Sequence, residues 1–138
     1  MSARFVRLLA ACVAVPLLLA TACSNRQPIQ AGAPQRGDVT VTPGPDGVQD
    51  VTVRATAEFR FVPATVHAKV GRIHLTLRIQ GGTPHNLTFD TLDAASIPTT
   101  SAGRTRSSDF TVSTPGRYRF VCTIHESLNQ TGALVVSR

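Results

Sequence analysis

Apolar and polar side chains alternate with a period of two along much of the chain after residue 50. Every second residue is apolar over 51–61, and the same alternation returns over 73–79. This period is typical of strands that bury one face and expose the other. Shorter strand-like runs follow at 86–89, 109–112, 117–122 and 132–136.

Turn-forming residues separate these runs, for example Gly81 with Gly82 and Pro115 with Gly116. About seven short strands in about ninety residues, with no helical period among them, predict an all-β fold. The specific prediction is an antiparallel Greek-key β-sandwich. We expect its two sheets to bury one shared core. The aromatic members of the predicted core are Phe59, Phe61, Phe110 and Phe120.

The start of the chain has a different pattern. Arg4 and Arg7 precede an uncharged apolar run over residues 8–20, and small residues follow. This layout predicts a secretory signal peptide at residues 1–22, whose apolar run is too short to span a bilayer comfortably.

The segment Leu-Leu-Leu-Ala-Thr-Ala-Cys, which ends at Cys23, resembles a bacterial lipobox. We therefore expect Cys23 to be the lipidated first residue of the mature chain, on the outer side of the cell membrane, in a periplasm or a cell-wall space. The alternative is an ordinary signal peptide cleaved nearby. Residues 23–47 contain four prolines and few large apolar groups, which predicts a flexible linker before a folded domain at 48–138.

Cysteine usage points to a metal. Cys12 lies in the predicted signal peptide and Cys23 at the predicted lipidation site, so Cys122 is the one thiol expected in the domain. Small exported domains usually carry disulfides. A lone thiol in such a domain is more simply explained as a metal ligand.

The chain carries a formal net charge of +6. Without Arg4 and Arg7, 12 basic residues stand against 8 acidic ones, which leaves +4. The charges are dispersed, and no dense Lys/Arg run or series of stacking aromatics indicates nucleic acid binding. Solubility, or mild attraction to anionic lipid or an acidic partner, accounts for this charge.

Candidate ligands cluster near the C-terminus. Cys122, His125 and Gln130 lie in one short segment, and a second imidazole, His85, lies upstream. One thiolate and two imidazoles with a weak axial ligand form the sites that tune copper for electron transfer. Asn86, next to His85, offers an amide that could bond across to the second ligand segment and lock the two together.

Three segments surround these ligands: Thr-Pro-His-Asn-Leu-Thr-Phe from residue 83, Tyr-Arg-Phe-Val-Cys-Thr-Ile-His from residue 118, and Gln-Thr-Gly-Ala-Leu-Val-Val from residue 130. Together with Phe-Arg-Phe-Val-Pro at 59–63, they resemble the plastocyanin group of the cupredoxins, over about residues 50–138. The resemblance implies that His85, Cys122 and His125 are the equatorial ligands of one type 1 copper ion.

Gln130 occupies the position where this family usually has an axial methionine. Met1 is the only methionine of the chain, so the domain has no thioether to offer. The resemblance to the stellacyanin branch implies that the Gln130 amide oxygen is the axial ligand. A harder oxygen donor favours Cu(II), which predicts a lower reduction potential than in a methionine-ligated relative. The alternative is that Gln130 points to solvent and copper has three ligands.

These features predict a monomeric, lipid-anchored electron carrier with an unidentified redox partner protein. The resemblance implies that the edge of His125 is the electron port. No acid–base pair or open coordination position indicates an enzyme. Two alternatives remain open: copper storage or delivery through the same ligands, and a metal-free β-sandwich for interactions. His67 and His74 fall on the polar side of their segments and are expected to be solvated.

Overall fold

The alternating segments fold into the strands of two β-sheets in the computed structural model, which describes residues 37–138. In chain order the strands are β1 (Asp38–Thr40), β2 (Val48–Ala55), β3 (Phe61–Val62), β4 (Thr65–Lys69), β5 (Gly71–Ile79), β6 (His85–Phe89), β7 (Ile97–Thr100), β8 (Thr105–Val112), β9 (Gly116–Val121) and β10 (Thr131–Ser137). Short 3₁₀ helices occur at Asp93–Ala95 and Glu126–Leu128. In this part of the chain, no helix is long and apolar enough to cross a membrane.

One sheet has six strands in the order β1-β4-β10-β9-β6-β7, and the other has four in the order β3-β2-β5-β8. The predicted all-β sandwich is confirmed. The sheets are mixed, however, because β1 with β4, β4 with β10 and β2 with β5 pair in parallel. Alternation reports which face a strand buries but not which strand lies beside it, so the sequence could not reveal these parallel pairs.

The core forms where the alternation is most regular. On β2 and β5, every second residue is buried, and the parallel register places Val51 beside Leu75 and Val53 beside Leu77. Each such side chain contributes on the order of 1.5–3 kcal/mol when it leaves water. In the opposite sheet, Phe120 packs edge-on against Phe61, with ring centroids 5.2 Å apart.

Phe59 departs from the predicted core. The alternation predicts one buried face as far as Phe61, but β2 ends at Ala55 and the chain turns before β3 begins. The Thr56 N–H donates to Arg60 O at 2.9 Å, and the Phe59 N–H donates to Thr56 O at 3.1 Å. Within this turn Phe59 adopts a left-handed φ of 56° and stays half-buried, so its assignment to the core is wrong.

The folded domain also begins earlier than residue 48. Strand β1 pairs with β4, with Asp38 beside Thr65 and Val39 beside Val66. Part of the segment assigned to the linker thus forms an edge strand of the six-stranded sheet. Prolines are tolerated in and near edge strands. The predicted signal peptide at 1–22, the lipidation site at Cys23 and the rest of the linker lie outside the described residues.

Candidate metal centre

The six-stranded sheet brings the candidate ligands together at one end. Because β9 is antiparallel to both β6 and β10, the end of β9 lies beside the starts of its two neighbours. Cys122 directly follows β9, Gln130 directly precedes β10, and His85 is the first residue of β6. His125 lies in the loop that joins β9 to β10. Residues distant in sequence therefore meet at one end of the sheet.

Three ligand atoms converge at this end of the sheet. The Cys122 Sγ lies 3.4 Å from His125 Nδ1 and 3.8 Å from His85 Nδ1. The two Nδ1 atoms are 3.1 Å apart. His85 and Cys122 are completely buried at 0% exposure, whereas His125 is half-buried. Within residues 37–138, these three form the single group of three His, Cys, Asp or Glu side chains placed to hold a metal ion.

Gln130 joins the same cluster. Its side chain is 0% exposed, and its Oε1 lies 2.9 Å from His85 Nδ1. The alternative in which Gln130 points to solvent is therefore wrong. Its Nε2 is buried without a hydrogen-bond partner among the described residues. A fully buried amide with one unsatisfied end is costly. Whether its oxygen binds a metal stays a prediction.

The donor set fits a metal ion. An ion bonded at about 2.0–2.3 Å to two imidazole nitrogens and one sulfur separates those donors by roughly 3.5–3.8 Å. The observed separations of 3.1, 3.4 and 3.8 Å are close to this spacing. The facing atoms are electron-pair donors, and a cation between them satisfies all of them at once. Thiolate and imidazole ligands favour copper or zinc over the hard cations.

Thr83 contributes to the orientation of His85, a role that sequence analysis missed. Its Oγ1 lies 3.1 Å from His85 Nε2, on the side of the ring away from the cluster. A proton held there leaves the Nδ1 lone pair facing the other ligands. Burial lowers the pKa of His85 below its usual value; the hydrogen bond that the protonated ring would donate from Nδ1 to Gln130 Oε1 opposes this shift, and the charge of His125 adds to it. The neutral, electron-donating imidazole is thus favoured.

Asn86 joins the two ligand segments, as the sequence analysis predicts. Its Nδ2 donates to Thr123 Oγ1 at 2.7 Å, and its Oδ1 accepts from the Thr123 N–H at 2.8 Å. Thr123 directly follows Cys122, so both bonds hold the thiol against the strand that begins with His85. Paired bonds of this kind fix ligand positions from outside the ligand set.

The loop from β9 to β10 is held by its own backbone. The Cys122 N–H donates to Gln130 O at 3.0 Å, and the His125 N–H donates to Cys122 O at 3.0 Å. The Leu128 N–H in turn donates to His125 O, and Asn129 turns the chain with a left-handed φ of 59°. Most of the loop is thus fixed independently of any ligand.

The turn between β2 and β3 covers the exposed side of the cluster. The Phe59 ring centroid lies 4.6 Å from that of His125 and 6.2 Å from that of His85. Arg60 Nη1 donates to Phe59 O at 3.0 Å and to Leu128 O at 3.1 Å, which ties the turn to the ligand loop. The alternation of the sequence predicts a core position for Phe59, but the chain reversal after Ala55 brings its ring to the ligand loop.

Arg119 supports the loop from another side. Its Nη2 lies 2.8 Å from Glu126 Oε1, and its Nη1 lies 3.2 Å from Asp90 Oδ2. The two carboxylates raise the pKa of Arg119, chiefly through the hydrogen bond with Glu126. The groups are half-exposed, so each pair contributes at most about 1 kcal/mol. The charge of Glu126 beside His125 is thereby balanced within the chain.

His67 and His74 lie outside the cluster, as predicted. His74 Nδ1 is 2.6 Å from Asp109 Oδ1, and His67 Nε2 is 3.8 Å from Asp38 Oδ2. Both rings are solvent-accessible, and within the described chain neither belongs to a group of three potential ligands. They act as surface partners of carboxylates.

Comparisons with known proteins agree with this geometry. A family model described as a cupredoxin-like domain matches residues 11–136. A mutant plastocyanin of fern is 33% identical, with a TM-score of 0.54, over 63% of this chain and 100% of that chain. A mutant of amicyanin, in a Cu(I) structure, is 26% identical, with a TM-score of 0.51, over 64% of this chain and 82% of that chain. No curated protein sequence matches the chain.

Proposed function

Because this chain belongs to the cupredoxin-like family, we propose that it is a type 1 copper protein that carries single electrons. The observation that supports this most directly is the convergence of His85 Nδ1, Cys122 Sγ and His125 Nδ1 at separations of 3.1 to 3.8 Å. A bound copper ion would supply the Cu(II)/Cu(I) couple at this position. The plastocyanin and amicyanin similarities support copper over zinc.

The residues then have distinct roles. The Cys122 sulfur would hold the metal as the thiolate, so binding would release its proton. His85 would hold the metal from the buried side, and the Gln130 amide oxygen would be a further, weaker ligand. His125 is the half-buried ligand and therefore the route by which electrons enter and leave. The hydrogen-bonded loop would hold these groups in place in both oxidation states, so that little rearrangement would accompany electron transfer.

A carrier role fits this arrangement better than catalysis. The ligand atoms face one another, and no acid–base pair stands beside them among the described residues. We infer that the protein is a monomer, is not an enzyme, and passes its electron to a separate redox protein. The sequence of the first 23 residues supports export and lipidation at Cys23, which would place the domain outside the cytoplasmic membrane.

Copper titration of the full chain tests this function. We expect one copper ion to bind, with an intense visible thiolate-to-copper band that disappears and returns on reduction and reoxidation. Cys122→Ser should abolish the band. The matched control Cys23→Ser should retain it, while moving the protein out of the membrane fraction.

Two results would contradict the proposal. Ready transfer of copper to a chelator during redox cycling would favour storage or delivery. Absence of the visible band, with no effect of Cys122→Ser, would favour a metal-free interaction module.

A further inference from the structure

The outer face of the four-stranded sheet carries unpaired arginines at one end. The parallel register of β2 and β5 places Arg54 directly beside Arg78, and Thr105 on β8 continues the row. Both arginines are exposed. The Ile79 N–H donates to the carbonyl oxygen of Arg104, another exposed arginine, which brings that residue beside the end of β5.

This end of the sheet adjoins the metal centre. Strand β2 runs into the turn that carries Phe59, and β5 runs into the loop that leads to His85. Arg60 lies in the same turn and donates to the carbonyl oxygen of Leu128, in the ligand loop. The Phe59 ring next to it packs against His125. We refer to four residues as the arginine surface: Arg54, Arg60, Arg78 and Arg104.

The positive charges of the arginine surface are not neutralised by the described chain. Among residues 37–138, no carboxylate oxygen lies within 4 Å of any of its guanidinium groups. Glu58, in the β2–β3 turn, is exposed and forms no ion pair there. Its carboxylate offsets one of these positive charges. The surface keeps a positive excess.

The other end of the same face shows the opposite arrangement. There His74 lies between Asp50 and Asp109 in the register, with its Nδ1 2.6 Å from Asp109 Oδ1. Like charges on facing positions of neighbouring strands destabilise a sheet. The pairing of Arg54 with Arg78 is therefore a local cost that no ion pair among the described residues relieves.

We propose that the arginine surface is a docking site for an acidic redox protein, one that carries clustered carboxylates beside its own redox centre. This inference rests on the proposed electron-carrier function. Charge complementarity would raise the encounter rate and orient the partner. Because Arg60 contacts the ligand loop, a partner on this surface lies next to the exposed side of His125. A flat anionic membrane bound here would instead cover His125 and hinder electron exchange, so a protein is favoured.

The test measures oxidation of the reduced, copper-loaded full chain by hexacyanoferrate(III), an anionic probe. At low ionic strength we expect Arg54→Glu/Arg78→Glu to slow this reaction roughly tenfold. The double Gln variant should give a smaller decrease. Poly-L-glutamate, a soluble chain of carboxylates, should slow the wild-type reaction and leave the double Glu variant nearly unaffected. Hexaammineruthenium(II), a cationic reductant, should reduce the Cu(II) form of the double Glu variant faster than that of the wild type.

The single variants Arg54→Glu and Arg78→Glu are measured in the same way, and Arg117→Glu is their matched control. Arg117 is exposed and has no carboxylate within 4 Å among the described residues, but it precedes Cys122 by five residues, or about 17 Å along β9. It makes the same change in net charge, and we expect less than a twofold effect. An unchanged visible band and unfolding temperature will show that each variant is folded and loaded.

Three outcomes would overturn the docking site while leaving the carrier function intact. The first is a normal visible band together with an unchanged hexacyanoferrate(III) rate in the double Glu variant. The second is an equal effect of Arg117→Glu and Arg54→Glu, which would indicate net charge alone. The third is weaker binding of the double Glu variant to phosphatidylserine vesicles with unchanged probe kinetics, which would assign the surface to lipid.

Discussion

The candidate metal centre has a buried half and an exposed half that are held in different ways. His85, Cys122 and Gln130 are each 0% exposed and lie at the ends of paired strands of one sheet. His125 is half-buried and follows Ile124, which is 47% exposed. Strand pairing fixes the first three, whereas His125 depends on its loop and on the turn that carries Phe59. The buried half supplies three of the four candidate ligands, and the exposed half is where solvent and partner proteins can reach the metal centre.

The largest effect should come from replacing each histidine by glycine. Both His85→Gly and His125→Gly should lose the visible copper band, because each removes one of three strong ligands. Added imidazole should restore the band in His125→Gly, since that position opens to solvent. Imidazole at the same concentration should not restore the band in His85→Gly, because the His85 ring is 0% exposed. Titration with imidazole, followed in the visible spectrum, measures the difference. Equal rescue of both variants would show that the two halves are equally accessible.

Loss of Asn86 should have the next largest effect, because its two bonds to Thr123 join the segments that carry His85 and Cys122 within the buried half. Asn86→Ala removes both bonds, each worth about 1 kcal/mol. We expect copper to pass to a chelator roughly 10–100-fold faster, which is the usual consequence of losing a residue that orients ligands. Stopped-flow mixing with a chelator measures this rate. Thr123→Ser keeps the hydroxyl and is the control. An unchanged rate of copper transfer in Asn86→Ala would mean that the backbone hydrogen bonds of the β9–β10 loop are enough to hold the ligands.

The difference between the two halves also explains which features of the fold and the site can be predicted from the sequence. His85, Cys122, His125 and the role of Asn86 could be predicted from short motifs and from their resemblance to a known family, because each motif is a contiguous segment at or next to a strand end. The sandwich follows from alternation, since Val53 and Leu77 face the core as their period requires. These features depend on local pattern alone.

The features that sequence analysis missed depend on contacts between distant segments. Phe59 continues the alternation of β2, yet the turn after Ala55 carries its ring to His125. Strand β1 has no buried residue to mark it, and its pairing with β4 gave no signal in the composition. Thr83 acts through one contact with His85 that no motif specifies. Tertiary packing decides each of these positions.

An intermediate effect is expected from Gln130→Met, which changes the axial donor within the buried half. Methionine is a softer donor than an amide oxygen and should favour Cu(I), so the reduction potential should rise. Each tenfold change in this preference corresponds to about 59 mV for a one-electron couple. Voltammetry of the copper-loaded protein measures the shift. Gln130→Leu, which offers no donor, should also raise the potential. An unchanged potential in both variants would show that the Gln130 oxygen does not contact the metal.

The smallest effect should come from the turn over the exposed half, where Phe59 holds a left-handed φ of 56°. This conformation costs a residue with a side chain about 1–2 kcal/mol, and glycine avoids the cost. Glycine also loses about 0.4–1 kcal/mol through the greater freedom of its unfolded chain. Phe59→Gly and Phe59→Ala both lose the ring contact with His125, so the glycine variant should be the more stable by about 0.5–1 kcal/mol. Denaturant unfolding of the copper-free proteins measures this difference. If the alanine variant is as stable as the glycine variant or more stable, the left-handed backbone at residue 59 carries no cost in stability, and the turn is held against the exposed ligand by its side-chain contacts.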